Sequence, residues 1–222
     1  MSKKDLEIFL YKNKLNTLTL IDILPNLSSK TISNLVNDLN VLLPKSTEQS
    51  DKIHVFTDGN CKKNGKTDSK GGYGIFFTED ENSILYQFNT VRKLVENPTN
   101  QKAELSAILK LFKIVDNNHD IFKNKEIVVC TDSMYSINCI TKWSLNWELN
   151  NWKTSKGEDV KNASIIKMIM ELKKNIESIN IKISFKHVFS HVKKPENENS
   201  LEYFYWYGNN KVDNMINEIL DY

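Results

Sequence analysis

Four acidic side chains stand where the surrounding pattern does not explain them. Asp58 closes an apolar run in Phe56-Thr-Asp-Gly59, and Asp132 closes another in Cys130-Thr-Asp-Ser133. Both runs read as strands, and ligands of open α/β sheets gather outside the carboxyl ends of strands. Taken singly, each acid is also accounted for by turn or helix-capping duty. Glu104 falls on the helical period of Ile108, Leu111 and Val115, and Asp213 on that of Ile216 and Leu220, so both project from apolar helix faces. The helix dipole favours an acid in the first turn by only ~0.3–1 kcal/mol. A carboxylate buried alone must instead pair, take up a proton or bind a metal. If two strand-end acids and two helix-face acids converge, their repulsion demands divalent cations. Oxygen-only ligands suit Mg²⁺ or Mn²⁺, and the matching chemistry is in-line phosphoryl displacement with two ions ~3.5–4 Å apart.

The elements that must position these acids follow from the spacing of apolar residues. Strands are expected over 53–58, 73–78 and 84–91, then a helix over 101–115, a strand over 126–131 and a helix beginning after Asp132. A helix over 163–179, a strand over 182–189 and a last helix over 210–220 complete the order βββαβααβα. Parallel strands need crossover connections, so this order implies an α/β fold, a mixed sheet with helices on its faces. Residues 1–44 read differently. Leu6, Phe9 and Leu10, then Ile32, Leu35, Val36 and Leu39, have helical spacing, and Pro44 is a stop. They form a small helical N-terminal unit, joined by a polar linker, 45–51, to the main domain, 52–222.

Composition narrows the function classes. In 222 residues, hydrophobic residues make up 40% and charged residues 26%, a globular balance. No run approaches the ~18 apolar residues of a membrane span, so an intracellular protein without membrane contact is expected. Cys61, Cys130 and Cys139 are odd in number and lack C-x-x-C spacing, which argues for reduced thiols. The net charge is only +2, and Arg92 is the single arginine. Any polyanion site is therefore local and depends on lysine, amides, hydroxyls and backbone N–H groups.

The segments around the four acids form an ordered set: Phe56-Thr-Asp-Gly-Asn60, Gly71-Gly-Tyr-Gly74, Thr99-Asn-Gln-Lys-Ala-Glu-Leu105, Thr131-Asp-Ser-Met-Tyr135, Asn151-Trp-Lys-Thr-Ser155, Ser190-His191, Pro195-Glu-Asn-Glu198 and Asn209-Asn-Lys-Val-Asp213. Together, over 52–222, they resemble type 1 ribonuclease H. The resemblance implies a five-stranded mixed sheet, and Mg²⁺-dependent hydrolysis of the RNA strand of an RNA–DNA hybrid, giving 5′-phosphate and 3′-hydroxyl ends. It implies two ions, with Mn²⁺ as a substitute, held by Asp58, Glu104, Asp132 and Asp213, and a proton-transfer or product-release role for His191. It also implies ribose contacts from Asn100, Gln101 and the loop Cys61 to Asn64, a DNA-phosphate site at Thr99 and Asn162, and a DNA channel lined by Tyr135 and Trp143. Core packing is the rival duty of those two aromatics.

Departures from the family pattern are informative. Asn97 stands where some members place a phosphate-binding arginine. In the segment 142–158, which resembles the family's basic protrusion, Glu148 and Glu158, with Asp159 just beyond it, offset Lys142, Lys153 and Lys156. Between His191 and Asp213 a long loop is expected, carrying Tyr203-Phe-Tyr-Trp-Tyr207, which either folds back as a satellite core or stacks on bases. The N-terminal unit lacks the family's hybrid-binding pattern and is available for protein or nucleic-acid contact on an otherwise monomeric enzyme. Two rival readings share these residues: a hybrid-binding protein without catalysis, and a DNA nuclease of resolvase or integrase type on a related fold.

Overall fold

A computed structural model describes residues 52–190 and 192–221 of the protein; the expected N-terminal unit, the linker and His191 lie outside the described residues. One sheet holds β1 (Lys52–Lys62), β2 (Lys70–Phe76), β3 (Thr90–Leu94), β4 (Glu126–Thr131) and β5 (Lys182–His187), in the order β3-β2-β1-β4-β5. The first three strands form an antiparallel meander, while β4 runs parallel to β1 and β5 parallel to β4. The crossovers are α1 (Asn100–Asn117) with α2 (His119–Phe122), and α3 (Met134–Asn138), α4 (Ser144–Leu149) and α5 (Ala163–Ser178); α6 (Leu201–Asp221) follows β5.

Apolar residues on both sheet faces make two cores. Val55 points into one with Leu105, Ile108, Leu111 and Ile166, which α1 and α5 cover. Its neighbour Phe56 points into the other with Val212, Ile216 and Leu220 of α6, as strand alternation requires. Every residue of β4 is buried, which a central parallel strand covered on both faces demands. Among the described residues no helix is long and apolar enough to cross a membrane.

Three expected elements differ most from the observed ones, while β2 and β5 shift only at their ends, from the expected 73–78 to 70–76 and from 182–189 to 182–187. The first strand does not end at Asp58 but runs on to Lys62, because β2 continues to pair with it after β4 has left. The expected strand over 84–91 is a 3₁₀ turn at Tyr86–Phe88 followed by the strand Thr90–Leu94. There Leu85 and Phe88 are buried against the core, and the Asn89 side chain accepts from Phe77 N–H and donates to the Thr78 carbonyl, both at 2.7 Å. The last helix begins at Leu201, not Asn210, so the aromatic run 203–207 is its first turns and not a loop. The Ser200 hydroxyl accepts from Tyr203 N–H at 3.1 Å, and the Ser200 carbonyl from Phe204 N–H at 3.1 Å, a serine cap. Phe204, Gly208, Val212, Ile216 and Leu220 then form a stripe at i, i+4 spacing. The run does fold back on the domain: Phe204 meets Phe56 at 5.5 Å and Tyr207 meets Phe76 at 6.5 Å between ring centroids.

Candidate active site

Three acids are brought together by the place where two strands part. Parallel pairing of β1 with β4 ends at Phe56 and Cys130, and Asp58 and Asp132 lie two residues beyond those positions. Neither performs the turn or cap duty that would explain it away. Asp58 is paired within the ladder opposite Gly74, and the cap of α3 is Ser133, whose hydroxyl accepts from Ser136 N–H at 3.2 Å. Glu104 arrives from the first turns of α1, whose cap is Thr99, accepting from Lys102 N–H at 3.1 Å.

Gly59 makes that arrival possible. A Cβ built on it would sit 2.2 Å from the Glu104 nitrogen and 2.3 Å from the Ala103 carbonyl carbon, so only a residue without a side chain lets β1 touch the backbone of α1. Carboxylate oxygens of Asp58, Glu104 and Asp132 all lie within 4.8 Å of one another, the one such acid group among the described residues. Opposite oxygens on a single Mg²⁺, each at ~2.1 Å, are about 4.2 Å apart, so the spacing fits cation ligation. Asp213, from α6, lines the same cleft of about 270 Å³, together with Asn60, Asn100, Asn209 and Asn210.

The electrostatics are those of a site awaiting positive charge. Burial and then the Asp132 carboxylate push Asp58 up to about 7, against the pull of its bond from Gly59 N–H at 2.8 Å. Burial, with the Asp58 and Asp132 charges added, raises Glu104 well above the usual carboxylate range. Glu104 Oε2 is buried without a hydrogen-bond partner, and buried polar atoms left in that state call for an explanation. A hard divalent cation supplies one: it fits an oxygen-only donor set and neutralises the clustered charge.

Asn217, one helical turn after Asp213, was not anticipated, although its i, i+4 position was readable. Its Nδ2 donates to Asp213 Oδ1 at 3.0 Å, and its Oδ1 accepts from Asn60 Nδ2 at 3.0 Å. The carboxamides thus tie Asp213 of α6 to β1. Asn217→Leu is expected to weaken divalent-ion affinity 10–100-fold, the range found when groups that orient metal ligands are removed. Titration of Mn²⁺ followed by tryptophan fluorescence checks this, and unchanged affinity would show that the tether does not orient Asp213. His187, the last residue of β5, places its Nε2 3.1 Å from the Asp132 carbonyl.

The expected substrate residues separate into groups. Asn100 lines the cleft; Gln101 is exposed beside it on α1. Cys61 belongs to β1 and not to a loop; its thiol is buried and donates to the Pro98 carbonyl at 3.3 Å, so it faces inward, while Asn64 sits exposed in the following turn. Tyr135 packs against the first core, and its hydroxyl bonds Asn162, a left-handed residue at the start of α5. Trp143 meets Tyr135 at 6.1 Å and remains partly exposed. In the expected protrusion Trp143, Trp147 and Trp152 form a chain of ring contacts at 5.7 and 6.3 Å, and Lys153 is neutralised by Asp159 at 2.6 Å. Because Glu148, Glu158 and Asp159 balance Lys142, Lys153 and Lys156 in number there, a shallow fall of log K with log salt is expected for hybrid binding; a slope equivalent to many released counterions would contradict it.

A family model for RNase H matches residues 50–203. The chain is similar to Ribonuclease H of Clostridium botulinum, at 31% identity over 172 residues, covering 77% of this chain and 96% of the relative. It is similar to Probable ribonuclease H of Acanthamoeba polyphaga mimivirus, at 34% identity over 159 residues, 71% of this chain and 62% of the relative. The fold is that of the PFV RNase H domain, with a TM-score of 0.53 at 21% identity, covering 76% of this chain and 93% of that domain.

Proposed function

Because this chain belongs to the RNase H family and is a hydrolytic endonuclease, we propose that it cuts the RNA strand of RNA–DNA hybrids at the acidic cleft, leaving 5′-phosphate and 3′-hydroxyl ends. Dependence on divalent metal comes with the family; the finer reading is two Mg²⁺ ions, replaceable by Mn²⁺, held by Asp58, Glu104, Asp132 and Asp213. The observation that carries it is the trio of carboxylates within 4.8 Å, with a buried Glu104 oxygen that lacks any partner. The division into N-terminal unit, linker and catalytic domain belongs to the same proposal.

Divalent ions bound between these acids supply positive charge for the phosphodiester and acidify water for in-line attack. The chain's own groups do the rest. Gly59 N–H holds the Asp58 carboxylate in one orientation, and Asn217 holds Asp213. Because Ser133 caps α3, the Asp132 carboxylate is left for the cleft. Asn100 brings a carboxamide into the cleft, and a group offering both donor and acceptor suits the ribose 2′-hydroxyl that distinguishes RNA from DNA. Gln101 extends that contact. His191 moves a proton, a task for which the imidazole side chain is the usual choice. Thr99 and Asn162 take a DNA phosphate, and Tyr135 and Trp143 line the DNA strand's path.

Parallel cleavage assays with an RNA–DNA hybrid, duplex DNA and duplex RNA, each with Mg²⁺ and with EDTA, test the proposal. Only the hybrid with Mg²⁺ is expected to be cut, in its RNA strand. Cutting of duplex DNA would point instead to a DNA nuclease on the same fold, and binding of the hybrid without cutting would make the chain a non-catalytic binder.

A further inference from the structure

We propose that His187 is a positioning residue for Asp132: by donating from Nε2 to the Asp132 backbone carbonyl, it fixes the direction from which that carboxylate enters the cleft. The inference rests on the function proposed above and names a residue that the reaction needs although it does not touch the substrate. The distance from Nε2 to the carbonyl oxygen is 3.1 Å. A carbonyl oxygen only accepts, so Nε2 carries the proton of this contact.

Asp132 stands where β4 has run out of neighbours. Its pairing with β1 ends at Cys130, and its pairing with β5 ends at Thr131, opposite His187. Val188 N–H still donates to the Thr131 carbonyl at 3.0 Å, which holds the peptide group before Asp132. The peptide group after Asp132 lies past the last rung, and there the His187 side chain takes over from the backbone of β5. Two bonds are made inside the turn itself, from Met134 N–H to the Asp132 carbonyl at 3.1 Å and from Ser133 N–H to the Thr131 hydroxyl at 3.2 Å. They shape the turn but move with it, whereas His187 belongs to a different strand. With the planar peptide groups on both sides of Asp132 tied to β5, the Cα–Cβ direction is set and only the side-chain torsions remain free.

The site has a reason to need this pin. Carboxylate oxygens of Asp132 lie within 4.8 Å of those of Asp58 and Glu104, and like charges so close repel most strongly where water is scarce. Asp58 resists from within a paired strand and Glu104 from within a helix of 18 residues. Asp132 has only a turn beneath it, the softest of the three supports. The imidazole that stiffens the turn is itself held, being half-buried and met edge-on by Phe189 at 5.1 Å with planes 84° apart. Groups that hydrogen-bond to ligand residues set ligand orientation in this way, before any ion arrives.

The test compares the full chain as wild type, His187→Gln, His187→Asn and His187→Phe. A glutamine amide nitrogen is as many bonds from the backbone as Nε2 and can donate to the same carbonyl, while an asparagine amide stops at the depth of Nδ1. Phenylalanine keeps the ring and its contact with Phe189 but has no donor. His187→Asn and His187→Phe are expected to lower Mn²⁺ affinity about 10–100-fold, the range for groups that orient metal ligands. On the hybrid they lower kcat and leave KM close to wild type, because no substrate contact is removed. His187→Gln keeps both. Phenylalanine preserves the packed volume, so the comparison with glutamine stands even if the asparagine variant melts early. Wild-type Mn²⁺ affinity in the phenylalanine variant, or a glutamine variant as weak as the other two, would overturn the role of His187 and leave the nuclease reading intact. If the wild type leaves the hybrid uncut while Mn²⁺ affinity still follows the donor, the nuclease reading fails and the positioning role stands.

Discussion

Asp58→Asn is expected to abolish hydrolysis and, in the absence of divalent ions, to make the protein more stable. Asp58 is 7% exposed, and burial together with Asp132 raises it from 3.8 to about 7. A carboxyl whose folded pKa lies above its unfolded one is bound to its proton more tightly in the folded state. Its favourable contribution is complete below pH ~4 and is lost as pH rises through about 7. At ~1.4 kcal/mol per unit of pKa difference, the native state is poorer by on the order of 4 kcal/mol above neutrality when no cation is present. Asparagine keeps the shape and never ionises. The variant is therefore expected to melt roughly 5–15 °C higher than wild type in EDTA at pH 8, and the difference should vanish near pH 4. Added Mg²⁺ should stabilise the wild type, by mass action, and leave the variant nearly unmoved. Activity should fall at least 10²–10³-fold, the scale of losing one preorganised stabilising group. Scanning calorimetry across pH, with and without Mg²⁺, reads both halves. A variant that melts lower than wild type in EDTA at pH 8 would show that Asp58 is held by attraction and not repulsion, and the metal reading would fail with it.

That opposition between stability and function is why the acids were legible in the sequence. A carboxylate on the apolar face of a helix, as at Glu104 and Asp213, breaks the local pattern, and such breaks mark sites where stability is spent on chemistry. The strand β4 was legible to the residue because it is buried on both faces and so reads as one apolar run. Elements whose limits depend on distant partners were not. Whether β1 ends at Asp58 or at Lys62 is decided by β2, and whether 84–91 is a strand or a turn is decided by Asn89 reaching back to Phe77 and Thr78. The start of α6 was missed for a different reason. Five consecutive aromatics suggest a loop cluster, but Phe204, Gly208, Val212, Ile216 and Leu220 already carry the helical stripe. The glycine within that stripe hid it, since glycine weakens a helix unless a neighbour needs the room. Phe56 needs it: a Cβ on Gly208 would come within 2.2 Å of the ring.

Gly59 and Gly208 then separate two kinds of close approach, and substitution at Gly59 is expected to be the more damaging. At Gly208 the obstacle to a methyl group is a side chain, the Phe56 ring. Gly208→Ala should destabilise by ~1–3 kcal/mol, the usual range for overpacking. Trimming the obstacle in the double variant Gly208→Ala with Phe56→Leu should recover part of that loss, because residues in contact do not act additively. At Gly59 the obstacle is the backbone of α1 at Ala103 and Glu104. No second substitution can trim it, so the methyl group must push β1 and α1 apart or unseat the first turns of the helix. Gly59→Ala is expected to cost at least ~3 kcal/mol, the top of the overpacking range, equivalent to a fall of roughly 6–12 °C in melting temperature for a chain of this size. The same displacement carries Glu104 away from Asp58 and Asp132, so divalent-ion affinity and cleavage should fall even at temperatures where the variant remains folded. Gly208→Ala should leave both close to wild type once folded. Melting curves alongside Mn²⁺ titrations distinguish the two glycines; a Gly59→Ala variant that is destabilised yet binds the ion normally would mean that Glu104 is placed by something other than its contact with β1.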